Sequence, residues 1–438
     1  MSNRNNRNLG LESIRNNWRH IPLSDVLNVQ GGYAFKSKDA TEKGVRWLKI
    51  ANVGIGEINW REQSFLPSDY LDEYIRYALK ENDIVMAMTR PVIRNSVKVA
   101  RISQDDIPTL LNQRVARFNF NDEYILGDYF YQVARSPYFA EEIQLKIAGT
   151  DPPNISSQQI ESILIHLPPL NEQKKITAIL SNVEEAIKKT EAVIEQTEKV
   201  KKGLMQQLFT KGIGHKDYKQ TVIGEIPRKW DIYPLRDLII GGSQNGLYKP
   251  KEYYGSGFGM VHMREMFKGE VLDISALQMV NTSVGENEKF SLNEGDILFA
   301  RRSVVYEGAG TPVYVPKHTE PITFESSIIR ITPNQDFILP MFLNLYFRSP
   351  VGRVNMQRII RRLAVSGISS EDLLGLYVPV PSLDEQKQIV NSLAGVSKRK
   401  EIEEKKISSL TKVKQGLMQS LLTGKVRVKV DEDEVTQV

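Results

Sequence analysis

The amino-acid sequence contains two copies of the same pair of motifs. LNEQKKI at 170–176 returns 213 residues later as LDEQKQI at 383–389, and KGLMQQLFT at 202–210 returns at the same offset as QGLMQSLLT at 415–423. Solenoid repeats have periods of roughly 20–50 residues, so this offset is far too long for one. The sequence therefore predicts two similar halves, each ending in the same element.

Weaker matches extend the repeat upstream. LKENDIVMAM at 79–88 corresponds to LNEGDILFAR at 292–301, and the Arg-Ser-Pro tripeptide at 135–137 recurs at 348–350. Trp18 corresponds to Trp230, where the offset is 212. Identity between these upstream parts is sparse. We therefore expect two domains of one fold whose surfaces differ.

The element that ends each half is predicted to be a long helix. Apolar residues recur at alternating steps of three and four over about five heptads, which is typical of a coiled coil. Prolines precede each segment, and glycines at 212, 214 and 424 follow. We expect the two helices to pack antiparallel on each other and to contact partner proteins. The predicted contact residues are Ile176, Leu180, Val183, Ile187, Ile194, Leu204, Leu208, Ile389, Leu393, Val396, Ile407, Leu410, Leu417 and Leu421.

The parts upstream of the helices are predicted to be α/β. Short β-rich segments lie at 83–88, 97–102, 114–120, 296–300, 312–315 and 327–332, and helical stretches follow near 126–147 and 339–363. The predicted fold class is α/β (α+β), with two similar mixed domains separated by two long antiparallel coiled-coil helices in a pseudo-two-fold repeat.

Domain boundaries follow from the motifs and from composition. The N-terminal MSNRNNRNLG is polar, without the apolar stretch of a secretory signal. We predict a disordered tail at 1–14, the first α/β domain at 15–166, a helix at 167–214, the second α/β domain at 215–379, a helix at 380–426 and a flexible tail at 427–438.

The sequence offers no defensible catalytic, cofactor-binding or metal site. Cysteine is absent, and the five histidines are scattered. DPPN at 151–154 resembles an amino-methyltransferase motif, but Asn154 stands where an aromatic residue would stack on the flipped base, so a turn is favoured. The glycine-rich YYGSGFGM at 253–260 lacks dinucleotide-binding spacing and is interpreted as a flexible loop. These patterns indicate a non-enzyme.

No run of 18 apolar residues is present, so we expect no membrane partner and a cytoplasmic location. The net charge of +5 is compatible with a nucleic-acid partner but does not establish one.

Basic and amide side chains suggest where a nucleic acid would bind. Between Phe337 and Ser370 the chain has five arginines and no acidic residue. If 339–363 is one helix, three of them share a face that phosphate would neutralise, although a solvated basic face remains the alternative. Further candidates follow the β-segments at matching places in both halves. The candidate DNA-contacting residues are Tyr33, Phe35, Lys36, Lys49, Asn52, Arg90, Asn112, Gln113, Arg114, Tyr248, Lys249, His262, Arg264, Arg301, Arg302, Ser303, Ser326, Arg358, Arg361 and Arg362.

The chain resembles the specificity subunit of type I restriction–modification systems. The resemblance rests on the junctions PPLNEQKKI and VPSLDEQKQI and on the helix ends KGLMQQLFTKG and QGLMQSLLTGK. GGYAFKS, WLKIANV, NDIVMAM with GDILFAR, and LNQRVARF support it. The second half departs from the pattern, with NGLYKPKE in place of a GxxFKS segment.

This resemblance implies a DNA-binding subunit without catalytic residues. Each α/β domain would recognise one half of a bipartite site on double-stranded DNA, and the helices would set the spacer and dock two methyltransferase (M) subunits. Two restriction (R) subunits are further implied partners that the sequence does not decide. S-adenosylmethionine, ATP and magnesium would bind those partners, with no cofactor on this chain.

Two hypotheses from other classes remain open at this point. One is a coiled-coil scaffold whose α/β domains bind peptides, and the other is a self-contained methyltransferase with an unrecognised cofactor pocket. Salt-dependent binding to duplex DNA separates the first from a DNA-recognition subunit, because a scaffold would show none.

Overall fold

The computed structural model describes residues 17–149, 151–362 and 365–429. The predicted tail at 1–14 and residues 430–438 of the predicted C-terminal tail lie outside the described residues. The chain divides into two compact units, unit 1 (Met1–Thr190 with Lys406–Val438) and unit 2 (Glu191–Lys405). The boundary between the units falls inside both long helices, so each unit contains one α/β domain and a part of each helix.

The first domain is built on a four-stranded antiparallel sheet in the order β2-β10-β5-β8. A second sheet has the order β4-β3-β9, in which β3 and β9 are parallel, while β1 pairs with β11 and β6 with β7. The strands are β1 (Arg19–Pro22), β2 (Leu27–Gly31), β3 (Val45–Leu48), β4 (Phe65–Leu66), β5 (Ile84–Ala87), β6 (Val92–Ile93), β7 (Ser96–Val97), β8 (Val99–Arg101), β9 (Thr109–Leu111), β10 (Val115–Phe120) and β11 (Leu164–Leu167). The helices are α1 (Tyr70–Glu73), α2 (Gly127–Ala134), α3 (Pro137–Ile147) and α4 (Ser157–Glu161), followed by the long α5 (Leu170–Lys211).

The second domain repeats this topology. Its four-stranded sheet has the order β15-β22-β18-β20, and β16 lies between antiparallel β17 and parallel β21. The strands are β12 (Tyr218–Thr221), β13 (Gly224–Pro227), β14 (Asp231–Pro234), β15 (Ile239–Asn245), β16 (Tyr254–Val261), β17 (Gln278–Val280), β18 (Ile297–Ala300), β19 (Arg302–Ser303), β20 (Pro312–Tyr314), β21 (Ile322–Phe324), β22 (Ile328–Pro333), β23 (Ser366–Gly367) and β24 (Tyr377–Val380). The helices are α6 (Val284–Phe290), α7 (Pro340–Arg348), α8 (Pro350–Gln357), α9 (Ser370–Leu374) and the long α10 (Leu383–Leu421).

The central strands explain why the repeated IVMA and ILFA segments are wholly apolar. All four residues of β5 are buried, and they alternate between two cores. Ile84 and Met86 belong to the core under α2 and α3, while Val85 and Ala87 belong to the core under β3 and β9. Strand β18 is divided between two cores in the same way. A strand that is covered on both faces has no solvent-facing positions for polar residues, so its amino-acid sequence is a continuous apolar run.

Both helical stretches predicted upstream of the long helices are broken at the repeated Arg-Ser-Pro tripeptide. The helical stretches predicted near 126–147 and 339–363 are therefore two helices each, and the second stretch ends earlier than predicted, at Gln357. Ser136 caps α3 by accepting a hydrogen bond from the Phe139 amide at 3.2 Å, and Ser349 caps α8 through the Gly352 amide at 3.0 Å. The proline after each serine occupies the first helical turn, where its missing N–H costs nothing. The tripeptide is thus a helix-start signal inside each predicted helix.

The glycine-rich segment at 253–260 was predicted to be a flexible loop, and this was also wrong. Most of it forms β16, the central strand of a three-stranded sheet. The pairing with β17 shifts register between Tyr254 and Phe258, and Gly257 has a φ of +101° within that irregularity. A Cβ at Gly257 would clash with the Val280 carbonyl oxygen. These glycines therefore serve a strand bulge.

A buried glutamine attaches the start of each long helix to its own domain. Gln173 accepts the Leu126 amide at 2.8 Å and donates to the carbonyl oxygens of Tyr124 and Pro168 at 2.7 and 2.8 Å. Gln386 repeats these contacts with the Leu339 amide at 2.8 Å and the carbonyls of Phe337 and Pro381, both at 2.9 Å. Each amide satisfies three backbone groups at the junction of a helix with its domain.

The glutamate before each glutamine joins the start of one helix to the end of the other. In unit 1, Glu172 accepts the Trp18 indole N–H at 2.9 Å and pairs with Arg427, which follows α10. In unit 2, Glu385 accepts the Trp230 indole N–H at 3.0 Å and contacts His215, which follows α5, at 2.9 Å. Each glutamate therefore links its helix to the chain that leaves the partner helix.

Glycine at each helix end is required by these junctions. Gly212 and Gly424 have φ values of +62° and +70°, the left-handed conformation of a helix C-cap. A Cβ on either would lie within 3 Å of an indole ring, that of Trp230 or Trp18 respectively. The predicted helix stops are confirmed, and the close tryptophan explains why a side chain is excluded.

The two long helices pack antiparallel, as predicted. In unit 1, Lys414 near the end of α10 pairs with Glu184 in the first part of α5 at 2.7 Å. In unit 2, Lys201 in the last part of α5 donates to the Ser397 hydroxyl of α10 at 2.5 Å and pairs with Glu270 of the second domain. Lysine is a poor residue for the apolar seam between two helices. Lys201 and Lys414 are accommodated there because each has a hydrogen-bonding or charged partner.

The predicted contact residues of the seam differ in burial. Those near the helix ends are buried in the domain cores, namely Ile176, Leu180, Leu208, Ile389, Leu393 and Leu421. The others are only partly covered, namely Val183, Ile187, Ile194, Leu204, Val396, Ile407, Leu410 and Leu417. The apolar side chains in the middle of the seam are thus less buried than those near the helix ends.

Substituting Gln173 by alanine should lower the free energy of unfolding by about 3 kcal/mol, because it leaves buried backbone groups without partners. Lys174→Ala changes the exposed neighbour and serves as the control. Chemical denaturation measures both. Equal stability of the two variants would show that the glutamine contacts do not hold the helix to its domain.

Glu184 should make stability depend on pH. Burial disfavours its charged form, but Arg135 at 2.6 Å and Lys414 outweigh burial and hold the pKa of this carboxyl below its usual range. A carboxylate with a lowered pKa stabilises the fold fully above its unfolded pKa of about 4.3 and loses that effect as pH falls through the folded value.

The wild type should therefore exceed Glu184→Gln in unfolding free energy near pH 7, and the gap should close below about pH 4. Urea titrations at several pH values measure it. Glu191→Gln, at an exposed position of the same helix, is the control. A gap that is independent of pH would contradict the assignment.

Candidate nucleic-acid interface

In unit 1, five separate segments meet at one edge of the first domain. We call them loop edge 1, which comprises residues 31–36, 49–52, 88–90, 112–114 and 151–154. Backbone hydrogen bonds join the segments in series. The Tyr33 amide donates to Leu111 O and the Gln113 amide donates to Tyr33 O, both at 2.9 Å. The Asn112 amide donates to Leu48 O at 3.2 Å. The Met88 amide donates to Arg114 O at 2.9 Å, and the Arg90 amide donates to Pro153 O at 2.7 Å.

The exposed side chains of loop edge 1 include an aromatic ring, two amides, several cations and one carboxylate, that of Asp151. Tyr33 is partly exposed and packs on Tyr74, with ring centroids 4.6 Å apart. Lys36, Arg90, Gln113 and Arg114 are exposed. Arg90 has a φ of +46°, a conformation that is uncommon for a residue with a side chain and that concentrates at functional sites. The edge can offer hydrogen-bond donors, an amide and a ring face to a ligand.

Other candidates of the first domain support these loops from inside. Asn52 is 3% exposed, accepts the Lys49 amide at 3.0 Å and donates to the carbonyls of Asn59 and Glu62. Phe35 is buried. The Lys49 ammonium lies 3.9 Å from the centre of the Trp47 ring, and burial lowers its pKa. The structure thus places these three behind the exposed residues.

Asn154 of the DPPN segment is part of the same scaffold. Its side-chain oxygen accepts a hydrogen bond from the Thr89 hydroxyl at 2.5 Å, and its amide donates to Pro152 O at 2.9 Å. An asparagine that bonds its own backbone two residues away is a turn-forming residue. The turn interpretation of this segment is therefore supported by geometry.

In unit 2, the topologically equivalent segments meet in the same way. Loop edge 2 comprises residues 245–250, 262–264, 301–303, 325–327 and the described residues of 361–367. The Leu247 amide donates to Phe324 O at 2.9 Å, and the Glu325 amide donates to Val261 O at 3.0 Å. The Arg301 amide donates to Ser327 O at 2.8 Å, and the Ile368 amide donates to Arg301 O at 3.0 Å. Backbone bonds also join Arg361 and Gly367. The strand pair β19–β23 takes the place of the bridge between Thr89 and Asn154.

Loop edge 2 exposes a different set of side chains. Tyr248 is 76% exposed, and Arg264 and Arg302 of the same segments are also exposed. Arg264 pairs with the buried Glu265 at 2.5 Å. Arg301 and Ser326 are half-buried, with the Arg301 guanidinium 3.4 Å from Ser326 O, and the Ser303 hydroxyl accepts the Val305 amide. The two edges thus share a framework and differ in chemistry.

Lys249 and His262 of the second domain are partly buried and are held by contacts within the protein. Lys249 pairs with Glu286 at 2.8 Å and lies over the Tyr253 ring. His262 contacts Glu325 at 2.7 Å, and Glu325 also accepts the Met263 amide at 2.9 Å. Both contacts stabilise the loops, and both remove the side chain from the exposed set.

Arg358, Arg361 and Arg362 do not share a helix face, because α8 ends at Gln357. Arg358 donates to Val222 O at 3.0 Å, Arg361 pairs with Asp372 at 2.9 Å, and the Arg362 guanidinium lies 4.4 Å from the centre of the Tyr306 ring. The prediction of one basic helical face was wrong. Arg361 and Arg362 nevertheless belong to loop edge 2, which Arg358 does not reach.

The structure also exposes residues that sequence patterns did not single out. Ile93 and Arg94 are exposed at the β6–β7 turn after Arg90, and Val304 is 86% exposed after Ser303. Both positions follow the central strand of a domain. The available signal was an apolar residue flanked by arginine and small polar residues directly after a buried strand.

The described residues contain no group of three or more histidine, aspartate or glutamate side chains that could hold a metal ion. Nor does the described part of the chain include a helix long and apolar enough to cross a membrane.

A family model described as the type I restriction modification DNA specificity domain matches residues 15–199 and again residues 227–412. Each match covers one α/β domain and most of the long helix that follows it. The chain belongs to this family. It is therefore a specificity subunit with two recognition domains, and specificity subunits are not catalytic. This confirms the predicted family, fold class and function, and it favours neither the scaffold nor the self-contained methyltransferase.

Curated relatives agree with this membership. The specificity subunit of the type I restriction enzyme MjaVIII from Methanocaldococcus jannaschii is 39% identical over 197 residues, which is 45% of this chain and 46% of that protein. The chain thus spans about half the length of that relative. The EcoBI specificity subunit from Escherichia coli is 24% identical over 432 residues, which is 94% of this chain and 86% of that protein.

Solved structures support the fold. One solved structure is described as showing the structural basis of complex assembly and conformational transition of the type I R-M system. A chain in it matches with a TM-score of 0.60 at 17% identity, and the match covers 93% of this chain and 98% of that one. The type I S subunit from M. genitalium has a TM-score of 0.50 at 15% identity, with coverages of 93% and 96%.

Proposed function

We propose that this specificity subunit recognises a bipartite site on double-stranded DNA, with loop edge 1 on one half and loop edge 2 on the other. One observation carries the proposal. Equivalent loops meet at the same edge of both domains, and a shared backbone framework presents different side chains there. This arrangement is what two different half-sites require, because the framework positions the loops while the side chains select the bases.

The exposed residues of the edges have the chemistry that DNA contacts need. An amide such as Gln113 can bond both exposed groups of adenine in the major groove, and a guanidinium such as that of Arg114 can bond guanine. Arginines such as Arg90 and Arg302 can neutralise phosphates, which gives affinity and register. Buried candidates, Asn52 among them, would act by shaping the loops.

We infer that the helix pair docks two methyltransferase subunits and sets the spacer between the half-sites. The apolar side chains in the middle of the seam are only partly covered, and exposed apolar residues flank them, including Val193, Val200 and Ile402 in unit 2 and Val413 in unit 1. A partner helix could cover them.

In such a complex, S-adenosylmethionine would bind the methyltransferase subunits, and ATP and magnesium would bind restriction subunits where these are present. Such a complex would act in the cytoplasm.

Replacing residues 15–150 by the corresponding part of another specificity subunit should change one half of the methylated sequence and leave the other half and the spacer unchanged. Single-molecule sequencing of methylated adenine in cells that express the complex measures this. The reciprocal replacement in the second domain is the matched control and should change the other half. Changes in both halves after one replacement would contradict recognition by separate edges.

Arg302→Ala should weaken binding of the methyltransferase complex to its duplex site. If Arg302 neutralises one phosphate, the slope of log affinity against log salt should also fall by about 1. Arg228→Ala, which removes an exposed arginine outside both loop edges, is the control and should leave affinity and slope unchanged. Fluorescence anisotropy at several salt concentrations gives both quantities. An Arg302→Ala complex that binds like the control would exclude Arg302 from the interface.

A further inference from the structure

Two of the five histidines lie side by side on the first domain. Strands β1 and β11 are antiparallel, and their register places His20 directly opposite His166. The centroids of the two rings are 4.6 Å apart, with an angle of 20° between the ring planes. These histidines are far apart in the sequence, so their spacing gives no sign of a pair. The pairing of the two strands creates it.

The backbone hydrogen bonds show that this is the closer type of cross-strand pair. The Leu23 amide donates to Ile163 O at 2.9 Å, so Leu23 and Ile163 form a hydrogen-bonded pair. The two types of pair alternate along an antiparallel ladder, which makes His20 and His166 a non-hydrogen-bonded pair. In agreement, the His166 carbonyl accepts the Tyr129 hydroxyl at 2.7 Å. Side chains of such pairs are close neighbours, with Cβ atoms about 4.5–5.5 Å apart.

The ring nitrogens of this pair have no hydrogen-bond partner among the described residues. The other three histidines each contact a glutamate or a backbone carbonyl through a ring nitrogen. His20 is exposed and His166 is half-buried, so solvent reaches the pair. A neutral imidazole has one nitrogen lone pair that can bind a metal ion. Two such lone pairs are therefore available side by side.

The fold does not require imidazoles at this place. In the second domain, β14 pairs with β24 in the equivalent register, and Ile232 lies opposite Pro379 where the first domain has its two histidines. Ile232 packs against the core of its domain. An apolar pair is thus sufficient for the strand pairing. The two solvent-facing nitrogen ligands are a feature of the first domain that the shared architecture does not explain.

The separation of the rings suits a single metal ion. Zinc–nitrogen bonds of about 2.0–2.1 Å place each ring centre roughly 3.2 Å from the ion, so two imidazoles at neighbouring coordination positions have centres about 4.5–5 Å apart. The observed 4.6 Å lies in this range. Rotation of each ring about its Cβ–Cγ bond would turn one nitrogen towards the ion. Imidazole is a preferred ligand of zinc, copper and nickel.

We propose that His20 and His166 form a chelating site for a divalent transition-metal ion such as Zn²⁺, with water completing the coordination. Structural zinc sites have four protein ligands, so an ion held by two is expected to exchange with solvent. Strand β1 follows Trp18, which donates to Glu172, and β11 leads into α5. The ion thus links the two strands that meet at the start of the long helix. The proposal is independent of the DNA-binding proposal, because no loop-edge residue takes part in it.

Zinc titration of the full-length chain tests the site. Calorimetry at about pH 7.5, above the usual histidine pKa of about 6.5, should show one Zn²⁺ bound per chain. His20→Ile, which gives β1 the residue that β14 has at this position, should keep the fold and weaken zinc binding at least tenfold. His318→Ala removes a histidine of the second domain and is the matched control, with unchanged binding. Equal zinc affinity of the wild type and His20→Ile, or one ion shared between two chains, would overturn the proposal.

Hydrogen–deuterium exchange tests where the ion binds. The amides between β1 and β11 exchange when the two strands separate, and an ion that bridges the strands opposes this opening. With free Zn²⁺ at about 100 times its dissociation constant, exchange in β1 and β11 should slow by up to about a hundredfold. The same strands in His20→Ile, and β14 with β24 in the wild type, should show no change. Unchanged exchange in β1 and β11 of the wild type, or equal slowing in β14 and β24, would contradict a bridging ion.

Discussion

The carboxamide of one buried glutamine at the start of each long helix is the contact on which the rest of the architecture depends. Gln173 and Gln386 each satisfy one backbone N–H and two carbonyls, and all of these groups lie where a domain meets its helix. A buried polar group costs free energy unless it is paired, so a fully matched amide fixes the helix in one direction. Because both junctions use the same three contacts, the two domains leave their helices with the same local geometry.

The helix ends complete this arrangement. Glu172 and Glu385 each receive an indole N–H from their own domain and a basic side chain from beyond the end of the other helix. The glycine that ends each helix leaves room for the same indole ring. In each unit, three distant parts of the chain therefore meet around one carboxylate. This explains why the Glu-Gln motif and the glycine at the helix end recur together in the sequence.

Much of the fold could be predicted from the sequence because its signals are periodic. The duplication, the long helices and their antiparallel pairing are confirmed, as are the central strands, whose alternate residues face two cores. The errors came from local features with two interpretations. Arg-Ser-Pro divides each predicted helical stretch into two helices, and the glycines at 253–260 make a strand bulge where their composition predicted a loop. The loop positions of the candidate residues follow from the strand pattern. Their exposure does not follow from that pattern. Lys249 is withdrawn by pairing with Glu286, which lies far away in the sequence, and Asn52 is buried by bonds to neighbouring turns.

The two halves neutralise equivalent seam lysines differently. Lys414 pairs with Glu184, a residue of the other helix, whereas Lys201 meets a serine at the equivalent helix position and finds its carboxylate on Glu270 of the second domain. In the first pairing, the carboxylate that neutralises the lysine thus lies on the other helix. In the second pairing, it lies on the recognition domain. Horizontal replacement of the second domain is consequently constrained, since an incoming domain without an acid at that place would leave a half-buried ammonium unmatched.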